Sequence, residues 1–210
     1  IHMLIDYSEK INIKNLNILF SLSDFAQSLE DSSVIKMNQT HSNQSIFLNQ
    51  FSKQDKYSDG IFSSNNQLIL EVSVADCMPI FFADKNKDFF GVVHAGWKGL
   101  AEGIIENSIE LLINEGFKLD NVKVLIGPSI RQDNFEVKND VADLFDNQFS
   151  TLQDGKIFLS LQKIAISKLN AYNIYDIIDV KECTYNTPAY YSYRRNKTEK
   201  RMKGRIYWDE

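Results

Sequence analysis

The sequence predicts an α+β fold in one domain. Runs rich in β-branched and aromatic residues outnumber helical repeats and gather ahead of them, an order that disfavours alternating βαβ units. The chain has 210 residues, 43% of them hydrophobic, enough to bury one substantial core. No Pro/Gly/Ser-rich linker divides it. The opening Ile1-His2 ahead of Met3 reads as a cloning remnant, so the domain is taken as 3–210 and His2 is set aside from the chemistry.

Strands are expected over 11–20, 34–37, 46–51, 68–74, 80–83 and 89–94, each an apolar or alternating run between turns rich in Ser, Asp, Asn and Lys. A helix is expected over 99–115, where Leu100, Ile104, Ile105, Ile109 and Leu112 return at helical spacing and Gly116 provides a stop. A strand over 122–126 ends at Gly127-Pro128. Ser160 caps a second helix through Leu161, Ile164, Ala165 and Leu169, and strands over 177–180 and 205–208 close the chain. There is no internal repeat.

The formal net charge is −5 and no basic stripe occurs before the final residues, which argues against a nucleic-acid partner and leaves a small ligand as the expected one. Without a charged-then-apolar leader or an apolar run near 18 residues, neither secretion nor membrane insertion is expected, and the cytoplasm is the default location. There the two cysteines, Cys77 and Cys183, stay reduced. A reduced cysteine near histidines is a candidate ligand or nucleophile.

His41 in "MNQTHS", Cys77 in "VSVADC" and His94 in "GVVHAG" all follow or end an apolar run. If these ends meet, two imidazoles and a thiolate can bind Zn²⁺ and leave the fourth tetrahedral position open, as catalytic zinc sites do. The plainer alternative is a turn histidine, a small buried cysteine and a satisfied core histidine. Cys77 and His94 can also be read as a thiolate and its base. Asp76 is either an orienting or proton-accepting carboxylate or a turn residue. The amides of "GPSI" (127–130) either cradle an anion or simply turn the chain. Arg194 and Arg195, beside Tyr190, Tyr191 and Tyr193, suit a flat heterocycle and a phosphate, or a solvated basic turn.

In combination, "QTH" (39–41), "ADCMPI" (75–80), "VHAGWKG" (93–99), "GPSI", "CTY" (183–185) and "SYRR" (192–195) closely resemble the YfiH family, in order from about Asn38 to the end. Its members have been named laccase-like polyphenol oxidases, peptidoglycan editing factors and zinc-dependent purine nucleoside phosphorylases with adenosine deaminase activity. The resemblance implies a four-layer α/β/β/α sandwich, with His41, Cys77 and His94 as zinc ligands and Gly96 and Gly99 admitting substrate. It implies phosphorolysis of adenosine, inosine or methylthioadenosine, with deamination of adenosine as a second activity; for that chemistry Arg194 is the candidate counter-charge to phosphate, and Asp76, from its place before Cys77, is the other candidate catalytic residue. The alternative it permits is an amide hydrolase editing a peptidoglycan precursor, through zinc and water or a Cys77/His94 dyad. A multicopper laccase is not expected, because three histidines cannot supply both a blue-copper site and a histidine-rich cluster. The chain departs from the family in three places. The region 18–30 lacks the usual Arg and paired glycines, "RQDNFEV" replaces cysteines after GPSI, and Ser42 stands where a glycine is usual.

Overall fold

A computed structural model of the chain describes residues 4–22, 33–50 and 57–209. β1 (Leu4–Asp6) leads through one helical turn, α1 (Ser8–Ile11), into antiparallel β2 (Leu16–Ser21). The strand expected over 11–20 therefore begins late. Asn12 and Asn15 take left-handed backbone (φ 49° and 64°), which asparagine tolerates and a strand does not.

Short strands β3 (Val34–Lys36), β4 (Ser45–Phe47) and β5 (Gly60–Ser63) come next, followed by the longer β6 (Ile69–Val74), β7 (Met78–Asp84) and β8 (Phe90–Ala95). The strand expected over 46–51 stops at Phe47, residues 48–50 being loop, and residue 51 lies outside the described residues. The single expected helix is two helices, α2 (Trp97–Glu102) and α3 (Ile104–Asn114). Gly103 at φ 91° ends the first by donating to the Gly99 carbonyl and opens the second. Periodicity does not reveal this break, because Leu100, Ile104, Ile105 and Ile109 enter the same apolar cluster on both sides of it.

After β9 (Val122–Ile126), β10 (Glu136–Val137), the short helix α4 (Asn139–Ala142), β11 (Ser150–Gln153) and β12 (Lys156–Leu159) follow. Strands β10, β12 and β11 form a small antiparallel sheet that the sequence reading does not anticipate. Helix α5 (Leu161–Ala171) starts at Ser160, whose hydroxyl accepts from the Lys163 amide as expected of a cap. β13 (Ile177–Asp179), α6 (Tyr193–Asn196) and β14 (Met202–Trp208) complete the chain.

The two large sheets have strand orders β1-β2-β14-β6-β3 and β13-β9-β7-β8-β5-β4, both mixed. Their facing sides share one apolar cluster, Ile18, Phe20, Leu70 and Ile206 meeting Ile61, Phe81, Phe90 and Leu125. On its other side the six-stranded sheet presents Ile80, Phe82, Val93 and Val124 to α2, α3 and α5. All seven residues of β7 are buried because both faces are covered. Each such large side chain stabilises the fold by roughly 1.5–3 kcal/mol. The architecture is α+β, layered helix, sheet, sheet. This matches the expected fold class, and no helix among the described residues is long and apolar enough to cross a membrane.

Candidate metal centre

The chain passes from the five-stranded to the six-stranded sheet between β6 and β7, and Cys77 sits at that crossing. His94 lies on the adjacent β8, paired opposite Pro79. His41 is not at a strand end but in the loop between β3 and β4, at φ 61°. The three side chains nonetheless converge, with their ligand atoms all within 4.8 Å of one another. Cys77 Sγ lies 3.8 Å from His41 Nε2. A tetrahedral zinc with ordinary Zn–S and Zn–N bonds needs about 3.6 Å between such atoms. The donor set and spacing fit a metal, and among the described residues the group ends at three.

Asp59, immediately before β5, organises the two histidines and was missed in the sequence. It is fully buried. One carboxylate oxygen is 2.7 Å from His94 Nδ1 and also accepts the His41 amide (3.1 Å). The other accepts from the Thr40 amide (3.2 Å) and from both the amide and hydroxyl of Ser42 (2.7 Å each). A proton on Nδ1 donated to Asp59 leaves His94 Nε2 as the ligand atom. Ser42 is thus useful where the family usually has glycine. In the sequence "SDG" reads as an ordinary turn, and nothing local marks its aspartate as buried.

Burial alone pushes the Cys77 thiol up, but the His94 charge and hydrogen bonds from His41 and His94 outweigh it and bring the thiol down to about 6. Burial lowers His94, yet the Cys77 thiolate and Asp59 carry it up to about 9. Asp59 is raised by its own burial and lowered further by His94 and Ser42, ending at about 2. At neutral pH the metal-free centre is therefore a thiolate beside an imidazolium.

Gly96 is needed by the ligands themselves. A Cβ there would stand 3.0 Å from Cys77 Sγ and 3.3 Å from His41 Cδ2, and one at Gly99 would stand 3.0 Å from the Ser42 carbonyl oxygen. Both glycines give room to the site's own walls. The centre opens into a cavity of about 290 Å³, lined also by Met37, Gln39 and Arg201.

Asp76 is buried, but its carboxylate faces away from the ligands' side chains. It accepts from Thr184 Oγ1 (2.6 Å), Ser192 Oγ (3.1 Å) and the Arg194 amide (2.7 Å), tying the Cys77 loop to α6. The Arg194 guanidinium lies over Phe135 (5.1 Å), donates to the Glu136 carbonyl (2.7 Å) and borders a separate depression of about 520 Å³ with Trp97 and Lys197. Arg195 is engaged by the carbonyls of Thr184, Tyr185, Thr187 and Tyr190. In GPSI, the amides of Gly127, Ser129 and Ile130 donate to Pro79, Glu182 and Asp76 carbonyls, so that segment is a backbone crossing and not an anion cradle.

A family model described as multi-copper polyphenol oxidoreductase laccase matches residues 11–208. The chain is 28% identical over 195 residues to a purine nucleoside phosphorylase of Rickettsia prowazekii (strain Madrid E), covering 89% of this chain and 80% of that protein. It is 27% identical over 190 residues to the purine nucleoside phosphorylase YfiH of Escherichia coli (strain K12), covering 87% and 77%. Its fold matches the crystal structure of the Bacillus licheniformis hypothetical protein YfiH at a TM-score of 0.83 and 21% identity, over 99% of this chain and 96% of that one.

Proposed function

Because the chain belongs to the YfiH family, the one described as multi-copper polyphenol oxidoreductase laccase, we propose that it is a zinc-dependent purine nucleoside phosphorylase. Its substrates in this reading are adenosine, inosine or methylthioadenosine together with phosphate, and deamination of adenosine is a second activity. The observation that carries the reading is the convergence of His41, Cys77 and His94 at the foot of a cavity. Zinc held there supplies Lewis acidity toward a substrate oxygen. Asp59 fixes the ring of His94 and the loop of His41, and Asp76 fixes the loop that carries Cys77. Three histidines and two cysteines in the whole sequence fall short of a multicopper oxidase, whatever the family description. Copper-dependent oxidation of a phenol with several coppers bound per chain would overturn this.

The second reading, an amide hydrolase acting on a peptidoglycan precursor, draws on one observation: the Cys77 thiol is lowered to about 6 beside His94, as in a nucleophilic dyad. Purified zinc-loaded protein given adenosine, inosine and a muramyl-peptide precursor, with and without phosphate, separates the two. Phosphate-dependent release of free base supports the phosphorylase, and release of an amino acid supports the hydrolase. Alkylation adds an independent measurement. A zinc-bound thiolate labels slowly with iodoacetamide and faster after chelation, whereas rapid stoichiometric labelling of Cys77 with zinc still bound would favour the nucleophile.

A further inference from the structure

We propose that Arg201 forms an oxyanion subsite in the metal cavity and holds inorganic phosphate there. The assignment rests on the phosphorylase reading for its use, but its geometry stands separately. Among the described residues that line the cavity, Arg201 is the only arginine or lysine. Arg194 and Lys197 border the other depression.

The guanidinium is held from one side only. Its Nη1 donates to the Thr198 and Lys200 carbonyls, at 3.0 Å each. Its Nε and Nη2 have no partner among the described residues, so that edge presents two parallel N–H groups. Such a fork matches two oxygens of a phosphate and makes charge-assisted hydrogen bonds to it. The backbone keeps it in place. Met202, the next residue, pairs with Val74 in the β14–β6 ladder, so Arg201 enters beside the stretch that runs through Ala75 to Cys77.

The other polar groups on this wall are already engaged. Gln39 donates to the Ser73 carbonyl and accepts the Ser73 amide, at 2.8 Å each, and the Ser73 hydroxyl accepts from Lys203 Nζ at 2.7 Å. Arg201 is therefore the cation that this wall offers to a phosphate dianion in the cavity. In phosphorolysis a phosphate oxygen bonds the anomeric carbon of the ribose as the glycosidic C–N bond breaks. The bonding pair leaves on the purine nitrogen, and the proton of hydrogen phosphate passes to the purine. Arg201 orients the phosphate for that bond and gains or loses no proton.

The test uses zinc-loaded protein with Arg201→Ala and Arg201→Lys. Inorganic phosphate is titrated calorimetrically without nucleoside, and KM is measured separately for phosphate and nucleoside. Arg201→Ala is expected to weaken phosphate binding and raise phosphate KM roughly 10- to 100-fold, the usual worth of a charge-assisted pair of hydrogen bonds. Nucleoside KM should change far less. Arg201→Lys, which keeps the charge and loses the fork, should fall between. Arg201 is exposed, so both variants should melt like the parent. Phosphorolysis with an unchanged phosphate KM in Arg201→Ala would overturn the subsite and leave the phosphorylase reading standing. Arg201-dependent phosphate binding without turnover of any nucleoside would do the reverse. Absence of phosphate binding in the parent would overturn the subsite.

Discussion

Asp59 and Asp76 are both buried aspartates beside a ligand-bearing segment, yet Asp59 bonds a ligand's own ring while Asp76 bonds only scaffold. Asp59 joins two regions distant in sequence, gripping the 40–42 loop with one set of bonds and β8 with another. Removing it frees both histidines at once. Asp76 reaches Cys77 only through the chain, and its bonds end at Thr184 and the start of α6. A carboxylate next to a metal site can thus orient the metal's ligands or merely anchor their loop, and the difference lies in which donors surround it.

Short of removing the candidate ligands themselves, the largest effect should follow Asp59→Asn. The amide nitrogen would confront donors that the carboxylate now satisfies, leaving buried N–H groups unpaired at about 1–3 kcal/mol each. Zinc affinity should fall about 10- to 100-fold, as when the partner of a ligating histidine is lost. Competition against a chromophoric chelator measures this, and parent-like affinity would mean that Asp59, like Asp76, only anchors a loop. His41→Ala with His94→Ala should abolish binding of about one zinc per chain by elemental analysis. Full occupancy in that double variant would place the ligands elsewhere.

The same side of the comparison predicts a pH dependence. Between about pH 6 and pH 9 the metal-free pair is a Cys77 thiolate and a protonated His94, so binding zinc must displace one proton from the pair. Below about 6 the thiol is also protonated, and two must leave. Affinity should therefore rise with pH, about tenfold per unit from this pair through the middle range and more steeply below 6. Folding stability of the metal-free protein should change little from this pair over most of that range. Unfolding there moves the proton from imidazole back to thiol without releasing it, so the raised histidine and depressed cysteine offset each other in sign. Calorimetry in buffers of different ionisation enthalpy counts the protons.

The three candidate ligands were legible because each is a rare residue type beside an apolar run, and β7 and β8 were legible because their runs are continuous. Asp59 was not, because its burial depends on a loop 17 to 19 residues away in sequence closing over it. Arg201 was hidden among the charges of "RRNKTEKRMKGR", where no local pattern separates a cavity-lining arginine from a solvated one. Arg194, more conspicuous beside its tyrosines, faces a different depression. The β10-β12-β11 sheet escaped because its strands are short and only one of their residues is buried, without the alternation that marks a half-buried strand.

A smaller effect is expected from Gly96→Ala. The backbone at φ −85° accepts alanine, so the whole consequence falls on the 3.0 Å approach to Cys77 Sγ, where something must shift. Zinc affinity should drop by several-fold, less than for Asp59→Asn, with a melting temperature near that of the parent.

The smallest effect on the metal should come from Asp76→Asn, the other side of the comparison. Asp76 sits at φ 86°, in the left-handed region that asparagine tolerates better than most residues, so this substitution alters the carboxylate and spares the backbone. One oxygen remains to accept a hydrogen bond, while the charge that holds Ser192 and the Arg194 amide is lost. Weakening those bonds should destabilise the fold by about 1–3 kcal/mol, lowering the melting temperature by roughly 2–10 °C in a chain of this size. Zinc affinity should change by well under tenfold, because no ligand nitrogen or sulfur loses a partner. Thermal unfolding and chelator competition on the same preparation separate the two quantities. A loss of zinc affinity as large as that of Asp59→Asn would show that the Cys77 loop is held in ligating position by α6, and that the two aspartates do one job.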